Sequence, residues 1–127
     1  MIGANNPDIY RVLIVDEDAA MREMLAALLS APNRSVEVRD SVRAATEFVR
    51  HSPIDVAFVD AALTGPSAQH LVETIKKRCP HAHVIVCAGR LSQAWDDAGR
   101  SKRGEHVLRQ LSNFGEALEL ADSYTTE

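Results

Sequence analysis

Short apolar runs alternate with segments of helical periodicity along almost the whole of this 127-residue chain. The predicted strands cover residues 11–15, 36–38, 56–59, 84–87 and 107–108. Between them lie helical segments, among them residues 19–30, a second one ending near His51-Ser52-Pro53, and a third through Leu71, Val72 and Ile75. Such alternation is typical of strand–helix–strand units, in which parallel strands are covered by helices. The pattern strongly restricts the folds available to the chain.

The predicted fold class is α/β: a doubly wound, five-stranded parallel sheet of the flavodoxin-like type, with helices on both faces. The expected strand order is 2-1-3-4-5, which makes strands one and three neighbours at the topological switch point. Asp18 is expected to cap the first helix, and either Asp40 or Ser41 the second.

Composition indicates a single soluble domain with 46% hydrophobic and 25% charged residues and a net charge of −4. We expect a flexible N-terminus at residues 1–8, a domain over 9–124 and a tail at 125–127. No basic stripe concentrates on one predicted face, so nucleic acid is not an expected partner. Nothing in the sequence resembles a signal peptide or a membrane span, so the cytoplasm is the expected location. Cys79 and Cys87 lack metal-ligand spacing and are interpreted as reduced thiols.

Acidic residues follow two of the predicted strands. Asp16, Glu17 and Asp18 come directly after strand one, and Asp60 follows strand three. Because these strands are predicted neighbours, Asp16, Glu17 and Asp60 should meet at the carboxyl edge of the sheet. Crowded carboxylates raise one another's pKa and are normally tolerated beside a hard cation such as Mg²⁺. The plainer interpretation, that they only cap helices or end strands, is favoured for Asp18 alone.

These residues resemble the receiver domain of two-component response regulators over nearly the whole chain. Asp16 and Glu17, within VLIVDED, match the family's acid pair, and Asp60, within DVAFVDAAL, matches its phosphoacceptor. The resemblance implies that Mg²⁺ (or Mn²⁺) binds to Asp16, Glu17, Asp60 and the backbone carbonyl of Ala62. It also implies that Asp60 receives a phosphoryl group from a histidine kinase or a phosphotransfer protein.

Three positions depart from the family pattern at the end that senses the phosphoryl group. Cys87 stands where the family has Ser or Thr, and a thiol is the weaker hydrogen-bond donor. Arg109 stands at the lysine position, or Gln110 if the match shifts by one residue, and His106 stands at the aromatic switch position. The planar guanidinium of arginine is not a conservative replacement for the compact ammonium of lysine beside a phosphate group. The sequence therefore predicts a divergent receiver.

The leading functional expectation is a stand-alone receiver, because the chain ends at Glu127 just after the last predicted helix. It would not be an enzyme, and it would signal to a downstream protein through its fourth helix, fifth strand and last helix, a face through which homodimers are also expected. The alternative is a phosphorylation-independent pseudo-receiver that serves as a docking or dimerisation module, favoured by the Cys87 and Arg109 positions. A third interpretation, a phosphatase of the haloacid dehalogenase type, finds support only in Asp16-Glu17-Asp18 and is disfavoured because Ala19-Ala20-Met21 follows.

Overall fold

The computed structural model describes residues 9–60, 66–87, 106–108 and 122. In chain order, these residues form β1 (Tyr10–Val15), α1 (Ala19–Leu29), β2 (Arg34–Arg39), α2 (Val42–His51), β3 (Val56–Asp60), α3 (Pro66–Arg78), β4 (His83–Cys87) and β5 (His106–Leu108). All neighbouring strands are parallel, and their order is β2-β1-β3-β4-β5. The predicted fold class and strand order are confirmed. Within the described ranges, no helix is long and apolar enough to cross a membrane.

Alternating side chains of the strands build two hydrophobic cores, one on each face of the sheet. On the first face, Leu13 and Val15 lie in a buried cluster with residues of α2 and α3, including Val49, Leu71 and Ile75. On the other face, strand residues pack against α1; the buried members of that cluster are Val12, Ile14, Leu25, Leu29, Val56, Phe58 and Ile85. Because both faces are covered, the central strands are apolar throughout, which explains their strong signal in the sequence.

The edge strand β2 is longer than predicted, covering residues 34–39 rather than 36–38. It pairs with β1 over six residues, from Tyr10 opposite Arg34 to Val15 opposite Arg39. Its ends are polar and only half-buried, as suits a strand at the edge of a sheet, so an apolar run marks only its middle.

Both helix caps lie where the sequence indicated them. The Asp18 carboxylate accepts hydrogen bonds from the amides of Ala20 (2.9 Å) and Met21 (3.4 Å) at the start of α1. The second cap is Ser41 and not Asp40, since its hydroxyl oxygen accepts a hydrogen bond of 3.1 Å from the amide of Ala44.

The predicted fourth helix and the loop at residues 61–65 lie outside the described residues, as do the segments 1–8 and 125–127. Of the last predicted helix, the structure describes Asp122, whose carboxylate accepts a 3.0 Å hydrogen bond from Arg34 at the start of β2. The proposed domain boundaries therefore stay predictions.

Candidate functional site

Asp16 and Asp60 lie at the carboxyl ends of adjacent strands. Val15 pairs in register with Val59. Asp16 directly follows Val15 in the sequence, and Asp60 directly follows Val59. The amide of Asp16 donates a 3.1 Å hydrogen bond to the carbonyl of Arg39, which ties the residue to the end of β2 as well. The site thus lies at the switch point of the sheet, where folds of this class bind ligands.

The side chain of Asp16 is buried, with 3% of the residue exposed. Burial is the main cause that raises the pKa of this carboxyl to about 6; the neighbouring Asp60 carboxylate adds to the rise, and a hydrogen bond from the Asp18 amide opposes it. Asp60 itself is half-buried. Among the residues that the structure describes, no Lys, Arg or His forms an ion pair with Asp16. The site therefore contains a buried acid whose negative charge has no side-chain counter-ion in this part of the chain.

The connection between β1 and α1 is held by a small set of hydrogen bonds. A carboxylate oxygen of Asp16 accepts a 2.9 Å hydrogen bond from the amide of Asp18, closing a turn over Glu17. The guanidinium of Arg22 donates to the carbonyl oxygens of Asp16 (2.9 Å) and Glu17 (3.1 Å). Arg22 thereby fixes the backbone that carries both acids.

Arg22 is a residue that the sequence analysis missed. The chain offers only a weak signal for it, an arginine in the first turns of the helix that follows the acid pair. Nothing in the periodicity of the helix shows that a long side chain turns back to carbonyl groups five and six residues earlier.

The donor set suits a hard cation, because carboxylate oxygens are the preferred ligands of Mg²⁺ and Mn²⁺. A bound cation would also supply the charge that the buried Asp16 carboxylate lacks. The described residues contain no group of three or more His, Cys, Asp or Glu side chains that could hold a metal ion. The structure thus brings together Asp16 and Asp60, whereas Glu17 is exposed and does not form a three-carboxylate cluster with them. Its role as a ligand stays a prediction, as does that of the Ala62 carbonyl, which lies outside the described residues.

Cys87 ends β4 and pairs in register with Asp60, so the backbone places the expected phosphoryl-sensing position directly beside the expected phosphoacceptor. His106 begins β5 opposite Ile85, one strand further along the sheet. Arg109 and Gln110 lie outside the described residues. The roles of these four residues in sensing a phosphoryl group are therefore still predictions.

Comparison with known structures shows the same fold in response regulators. A response regulator from Thermotoga maritima superposes with a TM-score of 0.75 at 20% identity, covering 94% of this chain and 99% of that chain. A receiver protein from Sinorhizobium medicae gives a TM-score of 0.78 at 14% identity, with 94% and 96% covered. The response regulator TrrA of Thermotoga maritima, solved in complex with Mg²⁺ and BeF, gives 0.73 at 20% identity, with 91% and 99% covered.

Sequence comparison gives the family itself. No curated protein matches the chain. The family model described as the response regulator receiver domain, however, matches residues 12–101, which include most of β1, the acid pair that follows it, β3 with Asp60, and β4. The chain belongs to the response regulator receiver domain family.

Proposed function

We propose that this protein is a response regulator receiver in which Asp60 accepts a phosphoryl group from a histidine kinase or a phosphotransfer protein. One observation carries the proposal: the half-buried Asp60 ends β3 beside the buried Asp16, whose pKa is raised to about 6 by burial and by Asp60. Strongly perturbed carboxyl groups in a crevice at a switch point are a feature of functional sites.

In the proposed reaction, a carboxylate oxygen of Asp60 attacks the phosphorus of the donor phosphohistidine. The phosphorus–nitrogen bond breaks, its electron pair returns to the imidazole nitrogen, and an acyl phosphate forms on Asp60. Asp16, Glu17, Asp60 and the carbonyl of Ala62 would hold Mg²⁺ (or Mn²⁺). When bound, the cation would offset the negative charge of the carboxylates and phosphoryl oxygens. The domain is a phosphoacceptor and not an enzyme acting on a separate substrate.

Two hydrogen-bonded contacts keep the acids in place for this chemistry. The hydrogen bond from the Asp18 amide orients the Asp16 carboxylate, and the guanidinium of Arg22 anchors the backbone of Asp16 and Glu17. Prearranged groups of this kind lower the cost of ordering the site when a ligand binds. We further propose that the phosphorylated protein acts in the cytoplasm and signals to a downstream protein, or to a second copy of itself, through the fourth helix, β5 and the last helix.

The test is incubation with Mg²⁺ and acetyl phosphate, followed by intact mass spectrometry. We expect one phosphoryl adduct that is lost in Asp60→Asn. Asp18→Asn is the matched control, because it removes a neighbouring carboxylate but keeps an oxygen that can cap α1. An adduct that persists in Asp60→Asn, or no adduct on a protein that binds Mg²⁺, would contradict the proposal.

A second function is favoured by the pairing of Cys87 with Asp60. A thiol at this position is a weak donor to a phosphoryl oxygen, as expected of a pseudo-receiver that docks or dimerises without phosphorylation. Sedimentation of the wild type with and without acetyl phosphate, beside Asp60→Asn, distinguishes the two. The same self-association in all three samples supports a constitutive module, and a dimer that forms only in the phosphorylated wild type excludes it.

A further inference from the structure

A groove of about 910 Å³ runs between α2 and α3, on the face of the sheet opposite α1. Val42 and Ala44 give it an apolar part, and Arg43 and Arg50 lie along the same helix. His70 of α3 is exposed on the other side of the groove. Neither Asp16 nor Asp60 is among its described lining residues.

The two helices that form the groove are basic, although the chain as a whole is acidic. α2 and α3 together contain five Lys or Arg residues and two Glu, a net formal charge of +3 in a chain of −4. No basic stripe is evident in the sequence because β3 separates the two helices along the chain. The fold brings their positive charges onto one face.

The cations of the groove differ in how far they are already neutralised. Glu47 lies 3.7 Å from the guanidinium of Arg50 and so partly offsets its charge, and the other carboxylate oxygen of Glu47 lies 2.9 Å from the imidazole of His51. Arg43 is exposed and has no hydrogen bond or ion pair with any described part of the chain. A positive charge beside an apolar groove is thus left for an anionic ligand.

We propose that this α2–α3 groove binds an acidic segment of a partner protein. Arg43 and Arg50 are two helical turns apart, or about 10 Å along the axis. Three residues of a peptide in the polyproline II conformation span about 9 Å, at about 3.1 Å each, and complete one turn, so side chains three residues apart lie on the same face. Acidic side chains at that spacing can therefore reach both arginines, while the apolar side chains between them lie beside Val42 and Ala44. The Glu47 carboxylate and the apolar lining disfavour the binding of a nucleic acid, whose phosphate backbone is negatively charged along its whole length.

An NMR titration of the isotope-labelled full chain tests this. The probe is a synthetic peptide that repeats Glu-Leu-Leu, which places Glu at every third position. We expect shifts at Arg43, Arg50 and His70, and we expect Arg43→Gln to weaken binding about fivefold, the effect of one exposed ion pair. Ala27→Glu, at an exposed position of α1 on the opposite face, lowers the net charge equally and should leave the affinity unchanged.

Two results would overturn the proposal. One is that the peptide shifts signals outside α2 and α3 but none within them, and the other is that Arg43→Gln and Ala27→Glu lose affinity equally. The groove would instead be a site for lipid or nucleic acid if vesicles containing phosphatidylserine, or single-stranded DNA, bound to the same residues more tightly than the peptide does. Because the titration uses no phosphodonor and no Mg²⁺, its outcome is independent of whether Asp60 is phosphorylated.

Discussion

Replacing Asp16 by Asn should stabilise the metal-free protein at alkaline pH. The carboxyl is buried and ionises with a pKa of about 6, against an ordinary value of 3.8. Asparagine has nearly the same shape, and its side-chain oxygen can still accept the hydrogen bond from the Asp18 amide, so the substitution chiefly removes a charge. The folded state is thus relieved of an anion that it holds unfavourably.

The size of the effect follows from linkage. At about 1.36 kcal/mol per pH unit, a rise in pKa from 3.8 to about 6 corresponds to about 3 kcal/mol of destabilisation once the group is ionised. Since burying an amide also has a cost, we expect Asp16→Asn to gain about 2 kcal/mol at pH 8. With an m-value of about 1.5 kcal/mol per molar urea, the unfolding midpoint rises by about 1.3 M.

The pH dependence has a definite sign. A group whose pKa is higher in the folded than in the unfolded state binds its proton first in the folded state, so the wild type gains stability as pH falls from about 7 to 4. The penalty is absent below about pH 3, where the carboxyl is protonated in both states, so Asp16→Asn should no longer be more stable than the wild type there. Ionisable groups that are common to both proteins cancel in this difference.

The assay is urea unfolding, followed by circular dichroism, at several pH values in the presence of a chelator. Asp18→Asn serves as the control because its carboxylate is exposed and either residue can cap α1. Adding Mg²⁺ at pH 8 should raise the midpoint of the wild type but much less that of Asp16→Asn. A lower stability of Asp16→Asn than of the wild type at pH 8, or a difference that does not shrink as pH falls, would contradict this prediction.

Three further predictions concern the surroundings of the acids. Arg22→Met keeps an unbranched side chain but has no donor for the two carbonyls, so exchange of the Asp18 amide measured by NMR should accelerate about fivefold, a loss of about 1 kcal/mol; an unchanged rate would contradict the anchoring role. Asp18→Ala should cost about 1 kcal/mol of unfolding free energy and Asp18→Asn much less, whereas equal losses in urea unfolding would show that the cap does not matter. Cys87→Ser should increase the phosphoryl adduct formed with acetyl phosphate, because a hydroxyl donates a stronger hydrogen bond than a thiol; a lower yield by mass spectrometry would count against a phosphoryl-sensing role at this position.

The sequence predicted the fold well because the central strands are buried on both faces. Runs such as residues 12–15 and 56–59 must be apolar under that condition, and their alternation with helices leaves few topologies. The cap at Asp18 could also be predicted, because Asp is a preferred residue immediately before a helix. The ends of β2 were missed because a half-buried edge strand accepts polar residues, which hide its length.

The candidate site was predicted only in part. Register along parallel strands brings Asp16 to Asp60, which a sequence can anticipate once strand order is known. It cannot anticipate the reach of flexible side chains: Arg22 turns back to the loop, and Glu17 remains exposed. The basic α2–α3 face was missed for another reason, since charges that are distant in sequence become neighbours only after folding.

An NMR titration with Mg²⁺ and then beryllofluoride, which mimics a phosphoryl group, tests whether Asp16 and Asp60 form a phosphoacceptor site. We expect Mg²⁺ to shift the signals of Asp16 and Asp60. Beryllofluoride should then shift Asp60 and its strand partner Cys87, only when Mg²⁺ is present and not in Asp60→Asn. If both reagents leave these signals unchanged while the protein is folded, the carboxylates at the ends of β1 and β3 are not a phosphoacceptor site.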